Sequence, residues 1–236
     1  AAKQGTPLVV IDQRETELTR HASLWLRPRP GSETALIGGI LRVIVDESLD
    51  DHEFLAGRCE GVREFKSSLW SFDLIRVSEA TAIPQSQIRE AARLIAGSSP
   101  CAVLYGLETL RPEVREACVR ALVNLSLVTG SIGKPSAGVY PLFLGANEQG
   151  AKDMGCVPDL LPGYRPVADD DARAQVQEAW GAAVPSGNGL GATEMAMAIS
   201  GGLVKALHVI GDSPNITNGA IEGLLESLKR LEFLLV

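Results

Sequence analysis

The chain has 236 residues, 45 % hydrophobic and 22 % charged, with a formal net charge of −7. That balance describes a packed globule of one large or two ordinary domains, and it argues against non-specific nucleic-acid binding, which needs a basic face. No apolar run approaches the roughly 20 residues that span a bilayer and no signal peptide opens the chain, so membrane contact is expected only through a partner.

The first element is Leu8–Ile11, a β-branched run between Gly5 and Asp12 that reads as a buried parallel strand. Leu24–Leu26 follows as a second short strand. The turn Pro30-Gly31-Ser32 then leads into a helix that Ser32 can cap, with Leu36, Ile40, Val43 and Ile44 on one face. Residues 49–78 read as short helices carrying Phe54, Phe65, Leu69 and Phe72. After Pro84 comes a strongly periodic helix with Ile88, Ala91, Ala92 and Ile95 facing inward. Cys101–Tyr105 is a strand, and residues 112–128 form a helix opened by Pro112.

Six glycines, at 130, 133, 138, 145, 150 and 155, then interrupt any hydrophobic period. Such a run is costly to order, and glycines let a backbone approach phosphates closely, so it reads as a cofactor-binding loop. Residues 170–180 form the next helix. Beyond Pro185–Gly191, Thr193 is expected to cap a helix whose Met195 and Met197 pack in the core. The strand Ala206–Ile210, a turn at Gly211-Asp212-Ser-Pro-Asn215, a helix over 219–230 and the strand 232–236 complete the chain. Strands alternating with helices indicate an α/β fold with parallel strands, whose ligands sit beyond the C-terminal strand ends. Asp12, Gly106 and Gly211-Asp212 fall at those ends. Both termini look cut, since each runs straight into an apolar strand.

Several side chains suit a nucleotide ligand. Asp12 can hydrogen-bond a ribose hydroxyl or cap a helix; Arg14 can neutralise phosphate or simply face water. Glu33, behind Gly31 in the first helical turn, favours the helix dipole and is also suited to the N1 and N2 donors of guanine. Gly133, Asn147 and Gln149 belong to the glycine run, the two amides offering donors and acceptors to a ligand or to nearby backbone. Lys134 can meet a pyrophosphate, but Gly-Lys-Pro lacks the context of an ATP-binding loop. Gly211, Asp212 and Asn215 form a turn on the ligand side. The isolated cysteines and histidines argue against a metal site built from this chain, and point to a reducing compartment. His208, inside an apolar strand, reads as packed, and Trp25, Trp70 and Trp180 as structural. No nucleophile–histidine–acid set can be assembled.

Val9–Thr16, Leu26–Leu36, Asn124–Gly138, Asn147–Gly155, Leu161–Tyr164 and Gly211–Asn215 together resemble, in order, the molybdopterin oxidoreductase family, which includes formate dehydrogenases. The resemblance implies Rossmann-like, parallel-sheet lobes of the formate dehydrogenase / DMSO reductase type. Residues 1–145 would form a first lobe that binds molybdopterin dinucleotide, and 146–236 part of a truncated second. It further implies that Asp12, Glu33 and the Gly211–Asn215 turn contact the guanosine or pterin parts of a molybdopterin guanine dinucleotide.

Formate dehydrogenases carry an arginine at the place where this chain has Phe143, and the usual Gln-His pair after the Tyr-Gly strand is replaced by Gly106–Arg111. The branch that fits such erosion is the large iron–sulfur subunit of bacterial NADH:quinone oxidoreductase, complex I. On that resemblance the fragment is a non-catalytic scaffold that binds no metal and is expected to hold no cofactor, a vestigial or real molybdopterin guanine dinucleotide being the alternative. Iron–sulfur clusters would lie upstream and carry electrons to quinone. Its partners would be the other subunits of the respiratory complex, in a cytoplasmic peripheral arm. The alternative is a fragment of an active molybdopterin enzyme of the formate dehydrogenase type.

Overall fold

β1 (Val9–Ile11) and β2 (Leu24–Leu26) pair in parallel, with Val9 opposite Leu24 and Ile11 opposite Leu26. Alternation drives Leu24 and Leu26 into the core and turns Trp25 away from it. The computed structural model describes residues 5–107, 110, 112–143, 147–210 and 224–236. The chain folds as two compact units, Ala1–Leu144 and Gly145–Val236.

Between the first two strands lies α1 (Glu17–Arg20), a single turn that hydrophobic periodicity does not announce. Thr16 caps it, accepting the Thr19 N–H while the Thr19 hydroxyl oxygen accepts that of Thr16. The centre of unit 1 is α2 (Glu33–Asp46). Eight of its residues from Leu36 to Ile44 are buried, including Gly38 and Gly39, so nearly its whole circumference faces protein. Ser32 does not cap it through the side chain; its hydroxyl instead donates to Arg29 O at 2.7 Å.

α3 (His52–Arg58), α4 (Val62–Ser68), a 3₁₀ turn at Leu69–Ser71 and α5 (Leu74–Thr81) wrap one side of unit 1. α6 (Gln85–Gly97) and α7 (Pro112–Val128) pack against α2, and Ile88, Ala91, Ala92, Cys118, Leu122 and Leu125 join its core. β3 (Ala102–Tyr105) pairs in parallel with β4 (Gly138–Pro141), Ala102 opposite Gly138. The glycine run is therefore not one loop. It contributes β4 and, further on, α8 (Glu148–Asp153).

One ion-pair cluster ties the far end of α2 to α6. Arg93 grips Glu47 through Nε–Oε2 at 2.7 Å and Nη2–Oε1 at 3.0 Å, and Arg89 Nη1 adds a contact at 3.2 Å. The Arg93 hydrogen bonds hold the Glu47 carboxyl below its ordinary 4.5, against an opposing effect of burial and with help from both arginine charges. A depressed carboxyl stabilises the fold above its unfolded pKa and loses that contribution as pH falls through the folded value. Thermal denaturation of Glu47→Gln should therefore match wild type at acid pH and fall below it near neutrality. The gap should be small and should shrink in salt, because Arg93 is exposed.

Unit 2 has a small core of Leu161, Val167, Ala172 and Val176, against which Val184 packs. β5 (Leu160–Leu161) and β6 (Arg165–Pro166) form a short antiparallel pair. α9 (Asp170–Trp180) begins at Asp169, whose Oδ1 accepts the Ala172 N–H at 3.0 Å. α10 (Ala192–Ser200) is preceded by Gly191 at its cap position; Thr193 lies inside the helix, and Glu194 Oε2 accepts the Gly191 N–H at 2.8 Å. Its buried residues are Ala196, Ala198 and Ile199, whereas Met197 is 71 % exposed, so the expectation of a core methionine there fails.

β7 (Ala206–His208) and β8 (Phe233–Leu235) again pair in parallel, and α11 (Leu224–Leu228) covers the end of the helix expected over 219–230. His208 is exposed rather than packed. Trp70 and Trp180 are 71 % and 61 % exposed, so neither is a core residue. Among the described residues three of the four strand pairs are parallel and helices separate them: the fold is α/β, as the alternation of elements indicates.

Candidate functional site

β1 ends at Ile11, and the next three residues are the polar Asp12, Gln13 and Arg14. The Asp12 N–H makes the last rung of the pair, to Leu26 O at 3.2 Å. Side chains from the β2 segment then continue where the ladder stops. Trp25 Nε1 donates to Asp12 O at 2.8 Å, and Arg27 Nε donates to Gln13 O at 2.7 Å. The Arg27 guanidinium lies 5.8 Å over the Trp25 ring, which steadies both donors. Asp12 Oδ1 accepts the Arg14 N–H at 2.8 Å, so that oxygen shapes the loop. Asp12 caps no helix, since Thr16 holds the cap of α1. The Arg14 side chain points into solvent beside it.

Glu33 reaches the same loop from the first turn of α2. Its Oε1 accepts Gln13 Nε2 at 2.9 Å and the Gly31 N–H at 3.3 Å. Gly31 adopts φ +82°, a left-handed conformation that suits glycine and lets the turn aim its N–H at the carboxylate. The second oxygen, Oε2, is buried and has no hydrogen-bond partner. Leaving a buried acceptor unpaired costs about 1–3 kcal/mol, and more when it is charged.

Behind Glu33 lies Cys118, 1 % exposed on α7. Burial pushes its thiol above the ordinary 9.0, and the Glu33 charge adds to the shift. The Thr34 hydroxyl opposes them but makes no hydrogen bond of ordinary geometry, so burial and charge prevail. Cys118 is thus a protonated core residue near neutrality, not a nucleophile.

The other expected site residues lie elsewhere. Gly133 occupies an exposed turn at φ +78° in unit 1, and Lys134 Nζ sits 3.6 Å from Asp51 Oδ2. In unit 2, Asn147 folds its carboxamide over Gly150, where an added Cβ would come within 2.4 Å of Asn147 Oδ1. Gln149 Nε2 spends both protons on Asp153 Oδ1 at 2.9 Å and Tyr164 Oη at 2.8 Å. Gly211, Asp212 and Asn215 lie outside the described residues. A separate open cleft of about 660 Å³ between α2, α3 and α4 has Arg42, His52, Lys66 and Trp70 in its walls and shares no residue with the strand-end site.

Sequence reasoning missed Gln13, Trp25 and Arg27 as builders of this loop. The available signal was the unbroken polar run after β1, with an amide between the acid and the arginine. Among the described residues no group of three or more His, Cys, Asp or Glu side chains is placed to hold a metal, and no helix is long and apolar enough to cross a membrane.

The molybdopterin oxidoreductase family profile matches residues 1–236. The chain is 33 % identical over 237 residues to formate dehydrogenase H of Escherichia coli, covering 100 % of this chain and 33 % of that protein. It is 34 % identical over 236 residues to the F420-dependent formate dehydrogenase 1 subunit alpha of Methanococcus maripaludis, covering 100 % of this chain and 35 % of that one. It therefore spans about a third of the length of these curated relatives. Acetylene hydratase from Pelobacter acetylenicus superposes over 98 % of this chain and 34 % of its own with a TM-score of 0.72, at 22 % identity, a likeness of fold alone. The fold is the α/β type of the formate dehydrogenase / DMSO reductase superfamily.

These likenesses overturn the assignment to the large iron–sulfur subunit of complex I, and with it the scaffold reading and the NADH, quinone and iron–sulfur roles attached to it. Identity spread over the entire chain outweighs the inference from two local departures, at Phe143 and at Gly106–Arg111. The chain belongs to the molybdopterin oxidoreductase family.

Proposed function

We propose that this chain is the cofactor-holding part of a molybdopterin enzyme of the formate dehydrogenase type. On this reading the loop after β1 and the start of α2 receive the guanine end of a molybdopterin guanine dinucleotide. The observation that carries it is the buried, unpartnered Glu33 Oε2, an acceptor that suits a donor from a ligand base. The likeness to two formate dehydrogenases over the whole chain supports the choice of reaction class.

The residues fit the group. Glu33 accepts from the base; Asp12, with one oxygen already bound to its own loop, offers the other to a ribose hydroxyl; Arg14 supplies positive charge toward phosphate. When bound, the pterin-held molybdenum or tungsten supplies a two-electron redox centre, which no cluster of described side chains provides. Gly211, Asp212 and Asn215 of unit 2 remain proposed, through the family motif, as contacts to a pterin or guanosine group. Gly133, Asn147 and Gln149 are weaker contributors, since the Gln149 donors are already committed within unit 2. The four cysteines are free, which suits a cytoplasmic enzyme.

Phe143, partly buried just past β4, favours one variant of this reading. Where formate dehydrogenases carry an arginine for their anion, a benzyl group offers no charge, and a less anionic substrate is then oxidised. The protein purified anaerobically from its host tests both levels. Molybdenum or tungsten at near-stoichiometric levels, GMP released by acid hydrolysis and formate-dependent dye reduction are expected for the main reading. Metal and GMP without formate oxidation select the variant, and absence of both metal and GMP overturns the proposal.

A further inference from the structure

We propose that Gln13 reads the base alongside Glu33, the two side chains forming a two-acceptor edge that selects guanine. The inference deepens the proposed function and rests on guanine binding at this site. Guanine presents two neighbouring donors, the ring N1–H and the exocyclic amino group. A carboxylate that met both would use both of its oxygens. Glu33 is denied that option, because Oε1 already accepts Gln13 Nε2 and the Gly31 N–H, filling its two lone-pair positions. Oε2 alone lacks a partner; sealed from solvent here, it takes the N1–H once the base displaces the atoms that cover it.

The amino group then needs a second acceptor, and Gln13 provides one. Donation from Nε2 to Glu33 fixes which way the carboxamide points, since the flipped amide would set oxygen against oxygen. Gln13 Oε1 is thereby left as an acceptor that bonds no described residue, on the same amide that touches the carboxylate. The side chain also starts from an anchored backbone. Gln13 O is held by Arg27, Asp12 O by Trp25 and the Asp12 N–H by Leu26. Hypoxanthine lacks the amino group, adenine lacks the N1–H and cytosine is a different shape, so this edge discriminates by hydrogen bonding against each.

The test uses the full-length protein from a host unable to make the pterin, with GMP and IMP as probes in calorimetric titrations. Wild type should prefer GMP over IMP. Gln13→Met, nearly isosteric but without an acceptor, should reduce that preference about tenfold, the worth of one hydrogen bond to a polar group. IMP affinity should fall by less, because the variant costs IMP only the Gln13 grip on Glu33 and costs GMP its second acceptor as well. Loss of fold would weaken both nucleotides alike. Gln13→Asn, with its carboxamide withdrawn by one methylene, repeats the measurement in a second background, and melting temperatures check both variants. An unchanged preference in a folded variant, or no preference in wild type, overturns the role of Gln13 and leaves the guanosine site standing. Wild type that binds neither nucleotide overturns both.

Discussion

Glu33→Gln should empty the site of its guanine nucleotide while leaving the protein folded and no less stable. Glu33 Oε1 is committed to two donors, Gln13 Nε2 and the Gly31 N–H, so a glutamine here must keep its oxygen on that side. Its amide nitrogen then replaces the buried, unpartnered Oε2 and points a donor at the donors of the base. A charged hydrogen bond is worth about 1.5–3 kcal/mol, so loss of the bond and of the charge should weaken binding at least about tenfold. The ligand-free protein should barely respond. Glutamine keeps the oxygen to which Gln13 and Gly31 donate and loses no hydrogen bond at Oε2, so the melting temperature should hold. GMP content and thermal denaturation of the two proteins together check this. A variant that melts lower yet keeps its nucleotide would show that Glu33 serves the fold and not the ligand.

The second large effect concerns the core. An added Cβ at Gly38 would sit 2.3 Å from Cδ1 and Cε1 of Phe72, and one at Gly39 would sit 2.8 Å from Val77 Cγ1. Alanine is the better helix former by roughly 0.8–1.0 kcal/mol. Overpacking of a filled core costs about 1–3 kcal/mol, and here the obstacle is a ring whose retreat would open space elsewhere. Gly38→Ala should therefore lower the denaturation midpoint despite its helix propensity. Phe72→Leu should be destabilising in the wild-type background and much less so beside Gly38→Ala, since the shorter side chain vacates the contested volume. Additive losses in the double variant would contradict that packing.

What the chain reveals before folding follows from how strongly each segment is patterned. α2, α6 and α7 carry long apolar stripes, and a period sustained over three or more turns leaves few alternatives. β1 and β2 are legible because β-branched and large apolar residues are confined to three or four positions between turn formers. The elements hidden by the sequence are short or half exposed. β4 carries a glycine and a proline in four residues, and its pairing with β3 is decided by tertiary contact. α1 is a capping box without a stripe.

At the site, the placing of Asp12 and Glu33 around one loop follows from strand-end and helix-start positions. The amide bond from Gln13 to Glu33 spans twenty residues, and no local pattern encodes it. Exposure of Met197 and His208 was equally opaque, because an apolar neighbourhood in sequence does not say which edge of a strand or helix stays uncovered. The branch of the family was misjudged for a related reason: Phe143 and the Gly106–Arg111 segment are local departures, and such replacements tune a site more readily than they retire one.

α2 joins these observations mechanically. Glu33 stands at one tip, the Glu47 clamp at the other, and Gly38 and Gly39 are seated under Phe72 and Val77 midway. A slip by a single residue would translate the rod about 1.5 Å along its axis. That distance would carry the Glu33 carboxylate out of reach of Gln13 and the turn at Gly31. If the proposed site holds, purine reading at one end becomes a gauge of how well the interior is seated, and damage far from the ligand should surface first as lost choosiness between bases.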